Sequence, residues 1–159
     1  MAKTVNLQEV NSILIPLKND KKSIVLVGGC FDILHLGHIK FLQAAKKMGD
    51  VLFILLENDA TVRKLKGKKR PFFIQQQRAQ TLSALRNVDY IILLPQMDKD
   101  QDYHRIVDKL KPNIIAATEN DPCLVKKRQL AKAVGGKIKI IPYLKTFSSS
   151  KLVELLKLE

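Results

Sequence analysis

Residues 28–38 run Gly-Gly-Cys-Phe-Asp-Ile-Leu-His-Leu-Gly-His, directly after the apolar stretch Ser23-Ile24-Val25-Leu26-Val27. A buried strand thus runs into glycines, and two histidines stand where a helix should begin. Such an arrangement suits an anion, phosphate above all. Glycines let the backbone approach a ligand closely. A helix N-terminus adds unpaired N–H groups and a partial positive charge. At i and i+3, His35 and His38 share a helix face and can both point at one anion. On its own a His-x-x-His pair reads equally as surface side chains at a helix start or as half of a metal site. The only other histidine is His104, and nothing in its spacing supports a three-histidine site.

Other residues able to do chemistry are scattered downstream. The segment 63–70 carries six basic side chains, Arg63, Lys64, Lys66, Lys68, Lys69 and Arg70. By itself such a run is a solvated loop or a nucleic-acid patch. Arg78 falls in an amphipathic stretch, where it reads as a surface charge. Ser148, Ser149 and Ser150 suit an N-cap. A serine-rich helix start is also a place for phosphate, since hydroxyl and N–H groups both aim at the anion. A carboxylate such as Asp32 beside a phosphate repels it, unless it caps the following turn or helps hold Mg²⁺.

The elements that must position these groups alternate in type. Leu7, Val10, Ile13, Leu14 and Leu17 repeat at helical spacing up to Asn19-Asp20. Strands are expected near 23–28, 51–56, 90–94, 114–117 and 137–141. Helices are expected near 36–48, 75–86, 101–110, 122–134 and 149–158, with 58–71 a loop or short helix closed by Pro71. Continuous apolar strands between amphipathic helices imply an α/β fold, a five-stranded parallel sheet with helices on both faces. Ligands in such sheets bind at the carboxyl ends of the strands, and the Gly28–His38 segment leaves the first of these strands at that edge.

The chain of 159 residues is expected to form one domain, with 1–21 a helical N-terminal extension. Its longest apolar runs are strand-sized, short of the roughly 20 residues of a membrane span, so no membrane partner is expected. Cys30 and Cys123 read as reduced thiols of a cytoplasmic protein, and the N-terminus lacks a signal-peptide layout. A net charge of +13, from 28 basic and 15 acidic residues, favours anionic partners: nucleic acid, a nucleoside triphosphate or a sugar phosphate.

Gly29-Cys30-Phe31-Asp32 followed by His35-Leu36-Gly37-His38 resembles the nucleotidylyltransferase superfamily, in its cytidylyltransferase-like branch. Asn58–Gly67 with Arg70-Pro71, then Gln77-Arg78 and Val88-Asp89, is similar to the adenylyltransferase domain of bacterial ADP-heptose synthases. Phe147–Lys151 resembles the family's last nucleotide-binding motif. The resemblance implies a Rossmann-like fold and a reaction: a substrate phosphate attacks the α-phosphorus of a nucleoside triphosphate, ATP by preference, and pyrophosphate leaves. It implies that His35, His38 and Lys66 stabilise the charge that develops. Gly29, Cys30, Phe31, Gly37, Arg78 and Ser148–Ser150 would bind the nucleotide, with Mg²⁺ as cofactor. A phosphorylated small molecule such as a sugar 1-phosphate would be the acceptor. Family members are often dimers, so a homodimer is one expected state.

Two departures bear on the substrate. Tyr143-Leu144-Lys145-Thr146 stands where the family carries an arginine, so Lys145 would have to replace it. Ala117-Thr118-Glu119-Asn120-Asp121 stands where heptose enzymes carry Lys-Gly-Gly-Asp, which makes this stretch, with Asp121, the expected place of acceptor choice. CTP with glycerol 3-phosphate, or ATP with FMN, would use the same chemistry. A nucleotide sensor without turnover, and a non-catalytic nucleic-acid-binding protein, are the readings from other classes. Against the latter, no RNA-binding fingerprint with paired aromatics is present.

Overall fold

The computed structural model describes residues 1–97, 99–144 and 151. The elements follow in the order β1 Lys3–Val5, α1 Val10–Asn19, β2 Ile24–Gly29, α2 Leu36–Lys46, β3 Val51–Leu56, α3 Asp59–Lys66 and α4 Gln75–Ser83. Then come β4 Tyr90–Leu93, α5 Asp100–Leu110, β5 Ile114–Thr118, α6 Leu124–Ala133 and β6 Lys137–Ile141. All strand pairs are parallel, and the sheet order is β1-β4-β3-β2-β5-β6.

The sheet therefore has six strands, not five. The additional one is β1, so the stretch 1–21 is more than a helical extension: Lys3, Thr4 and Val5 pair with Tyr90, Ile91 and Ile92 at the sheet edge. Three residues are too few to display a period, and only Val5 of the three is buried. The segment 58–71 resolves into helix α3 and a loop. Asn58 caps that helix, its side chain accepting from Thr61 N at 2.7 Å, and Gly67 closes it at φ +104°. The helix expected at 149–158 lies outside the described residues, apart from Lys151.

Alternation along each strand divides the core into two layers. Ile24, Leu26, Phe53, Leu55 and Ile115 pack with Val10, Ile13 and Leu14 of α1, Ile106, Val107 and Leu110 of α5, and Ala131 of α6. Val25, Val27, Leu52, Ile54, Leu56 and Ile91 pack with Leu42 and Ala45 of α2 and Ala79 and Leu82 of α4. Each such aliphatic side chain, fully withdrawn from water, contributes about 1.5–3 kcal/mol. The burial also explains why β3 is apolar on both faces.

Connectivity places the site. From β2 the chain winds outward through β3 to β4, then crosses back to β5 and β6 on the other side. β2 and β3 stay in register over six pairs to Gly29↔Leu56. β2 and β5 pair only at Val25↔Ile114 and Leu26↔Ile115 and part above them. The sheet thus has its switch point between the carboxyl ends of β2 and β5, where an open α/β sheet offers a crevice.

Candidate active site

β2 delivers the chain into that crevice through Gly29. A Cβ there would stand 3.0 Å from the Phe31 ring, so a larger residue would have to push that ring aside. Phe31 itself is buried at φ +45°, a left-handed conformation that a bulky residue holds only when its surroundings impose it. Its ring lies 5.2 Å from the His38 ring, centroid to centroid.

His35 is the N-cap of α2, and its Nδ1 accepts from Gly37 N at 3.1 Å. That bond leaves the imidazole proton on Nε2. The His35 and His38 rings lie against each other, centroids 3.8 Å apart and planes tilted 32°. Burial, then the neighbouring His35, then Lys66 hold the His38 pKa down to about 3, with the Ile33 backbone alone working the other way. Burial and Lys66 also lower the pKa of His35. Both rings are therefore neutral at physiological pH and offer N–H donors rather than charge. The positive charge comes from Lys66 in the last turn of α3, half-buried and without a carboxylate partner among the described residues. Lys66 acts electrostatically on His35, His38 and Cys30 alike, so α3 brings it to the histidine pair.

A second layer holds these groups in place. Asp32, 2% exposed, pairs with the equally buried Arg70, its Oδ2 2.5 Å from Nε. Its Oδ1 accepts from Phe72 N at 2.8 Å and from Phe73 N at 3.4 Å. The carboxylate is spent on organising the loop before α4 rather than on capping the turn that follows it. Among the described residues no group of three or more His, Cys, Asp and Glu side chains gathers. Arg78, expected at the phosphates, is 1% exposed and directs its donors inward. Nε donates to Phe73 O at 2.9 Å, Nη1 to Cys30 O, and Nη2 to Glu57 O and Asp59 Oδ1, both at 2.7 Å. It braces the loops after β2 and β3 against each other. Asp121 accepts from Cys123 N at 2.8 Å and pairs with Lys127 at 2.6 Å. Ser148, Ser149, Ser150 and Lys145 lie outside the described residues.

Sequence reasoning passed over Glu57 and Tyr103. Glu57 follows β3 directly, and the Tyr103 hydroxyl donates to its two oxygens at 3.0 and 2.9 Å. Burial raises the Glu57 pKa; the Tyr103 hydrogen bond and the charges of Lys127 and Arg78 oppose that. Burial and the facing Glu57 carboxylate push the Tyr103 phenol well up. The available signal was position: Glu57 is the first charged residue after an apolar strand, at the sheet edge where ligands bind.

A parallel sheet that opens at its switch point onto a capped helix start, two neutral histidines in ring contact and a lysine with no carboxylate partner among the described residues defines a nucleotide-handling domain. The chain belongs to the cytidylyltransferase-like family, whose model matches residues 26–154, and it is a nucleotidylyltransferase-like domain. Over 154 residues it is 36% identical to the bifunctional protein HldE of Geobacter metallireducens, covering 96% of this chain and 31% of that protein. It is 34% identical to that of Geobacter sulfurreducens, again covering 96% and 31%. The chain thus spans about a third of the length of these relatives. Among solved structures it resembles the lipopolysaccharide core biosynthesis protein of Thermoplasma volcanium, at 32% identity and a TM-score of 0.63, covering 79% of this chain and 98% of that one. A pantoate-β-alanine ligase from Francisella tularensis shares the fold at 21% identity and a TM-score of 0.66, covering 92% and 69%.

Proposed function

We propose that this domain transfers AMP from ATP to the phosphate of a phosphorylated sugar, with a sugar 1-phosphate of the heptose type as the leading acceptor. The observation that carries the reading is the close contact of the His35 and His38 rings at the start of α2, with Lys66 near enough to act on both. A phosphate oxygen of the acceptor bonds to the α-phosphorus of ATP. The bond from that phosphorus to the β-phosphate bridging oxygen breaks, and pyrophosphate departs with the electron pair. The acceptor phosphate is already nucleophilic, so no activating base is needed. What the reaction needs is alignment and donors where charge grows. The imidazole N–H groups donate to the α-phosphate and leaving-group oxygens, and Lys66 supplies a mobile point charge. Ser148–Ser150 complete the triphosphate site in this reading. Magnesium enters as Mg·ATP, held by phosphate oxygens and water.

The preference for ATP and a heptose-type acceptor rests on the HldE relatives, which stand with the ADP-heptose synthases. The stretch Ala117–Asp121 departs from those enzymes and keeps CTP with a phosphoalcohol as the second reading. Among the described residues no helix is long and apolar enough to cross a membrane. The reading puts the domain in the cytoplasm, where ATP is found and where the free Cys30 and Cys123 stay reduced.

The test is thermal-shift screening against ATP, CTP, GTP and UTP with magnesium, followed by pyrophosphate release with the best nucleotide and a panel of phosphorylated acceptors. ATP at a hundredfold excess over its Kd should stabilise the fold by about 2.7 kcal/mol. That corresponds to a rise in Tm of roughly 5–10 °C. A larger shift with CTP supports the second reading. Absence of pyrophosphate with every nucleotide–acceptor pair, in folded protein, sinks both.

A further inference from the structure

Glu57 is the carboxylate that nucleotidyl transfer, as described, leaves unused. It sits at the carboxyl edge of the sheet, its N–H donating to Gly29 O at 3.2 Å. Its carboxylate receives one side-chain donor, the Tyr103 hydroxyl shared between both oxygens at 3.0 and 2.9 Å. A carboxylate offers about four lone-pair sites, so most of its accepting capacity is unfilled by the described protein groups. Keeping a half-buried carboxylate short of donors costs stability unless a ligand supplies them.

Cys30 shows where this capacity points. After burial, the influences on its thiol are, in falling order, Lys66, which lowers the pKa, Glu57, which raises it, Arg78, which lowers it, and Asp32, which raises it. The Glu57 N–H meets the Gly29 carbonyl one residue before Cys30, so the acid stands beside the turn that leads to the histidine pair. Tyr103 arrives from α5 and touches Glu57 directly, while Lys127 of α6 acts on it through its charge from its ion pair with Asp121. Asp121, the residue that the sequence put forward for the acceptor, is occupied by Lys127 and by the cap of α6.

We propose that Glu57 is a specificity-determining residue that accepts hydrogen bonds from the hydroxyl groups of the acceptor, and that Tyr103 is the positioning residue that fixes its orientation. The ligand class this selects is a polyhydroxylated phosphate ester, in preference to one poor in hydroxyls. The proposal rests on the nucleotidyl-transfer reading above for the identity of its ligand as the acceptor. A site built to accept from hydroxyls discriminates strongly against analogues that lack them.

The experiment is calorimetric titration of protein loaded with magnesium and α,β-methylene ATP, using mannose 1-phosphate and methyl phosphate as probes. The wild type should bind mannose 1-phosphate at least about 10-fold more tightly, as expected for hydrogen bonds to a charged group. Glu57→Gln should lose most of that preference while its affinity for the ATP analogue stays within about 2-fold of wild type. Tyr103→Phe should lose about 3- to 10-fold of it, with an acceptor KM that rises and a kcat that does not. Should Glu57→Gln not fold, Tyr103→Phe decides alone. No preference in the wild type, a preference untouched in both variants, or equal weakening of the ATP analogue overturns the proposal. A preference that tracks Glu57 without any pyrophosphate release from the wild type upholds hydroxyl recognition and rejects the transfer reading. Release without such a preference does the reverse.

Discussion

At the residue scale the site is built from charges that are spent and donors that are not. Asp32 and Arg70 are buried together, and Arg78 is buried on three carbonyls and Asp59. Removing one partner of a buried pair strands the other. Asp32→Ala should therefore lower unfolding stability by about 3–5 kcal/mol, read as a shift in the guanidinium midpoint. Arg78→Ala should behave likewise, because it orphans carbonyls in the loops after β2 and β3 and in the loop before α4. If Arg78→Ala instead kept full stability and lost only nucleotide affinity, its place as a brace would be wrong. The histidine pair was legible because its signal is contiguous: strand, glycines, then His-x-Gly-His. Glu57 and Tyr103 were not, because their meaning lies in a contact across 46 residues of sequence. Arg70 hid among the six basic residues of its segment, where nothing local distinguishes the one that is buried from those that are solvated.

At the element scale, parallel strands and short connections do the positioning. β2 and β3 advance together to Gly29↔Leu56, and the loops above them receive Arg78. Continuous apolar runs made these strands visible, since they are buried on both faces. The edge strand β1 was invisible for the opposite reason: it is short and mostly exposed. Its ladder makes a specific prediction. Lys3 N–H donates to Asp89 O at 2.9 Å, and alternation turns the amide of Thr4 away from β4. Lys3→Pro should cost about 1–2 kcal/mol, whereas Thr4→Pro should cost less than about 0.5 kcal/mol. Equal costs in chemical denaturation would mean that β1 does not pair with β4 in this register.

At the scale of the whole molecule, protonation and net charge set the working conditions. His35 and His38 have folded pKa values below the unfolded one, so between about pH 3 and 6.5 the unfolded chain binds more protons than the native one. Stability is complete above that window and falls as pH drops through it. His38 alone should account for about 3 kcal/mol by about pH 4.5. His38→Asn should flatten the pH profile of the denaturation midpoint between about pH 6.5 and 4.5; an unchanged slope would show that the ring is not held neutral. The charge of +13 predicts a weak, non-specific affinity for RNA that disappears between about 50 and 200 mM salt. RNA binding that survives that salt would favour a nucleic-acid partner over a small anionic one. The central claim, that the histidine pair acts on the phosphates in the transition state, is tested most directly by single-turnover transfer from α-labelled ATP in the wild type and His38→Ala. Label should move into the sugar nucleotide in the wild type and about 10²–10³-fold more slowly in the variant, with ATP affinity within about 3-fold. Equal loss of transfer and affinity, or transfer that His38→Ala leaves unchanged, would contradict it.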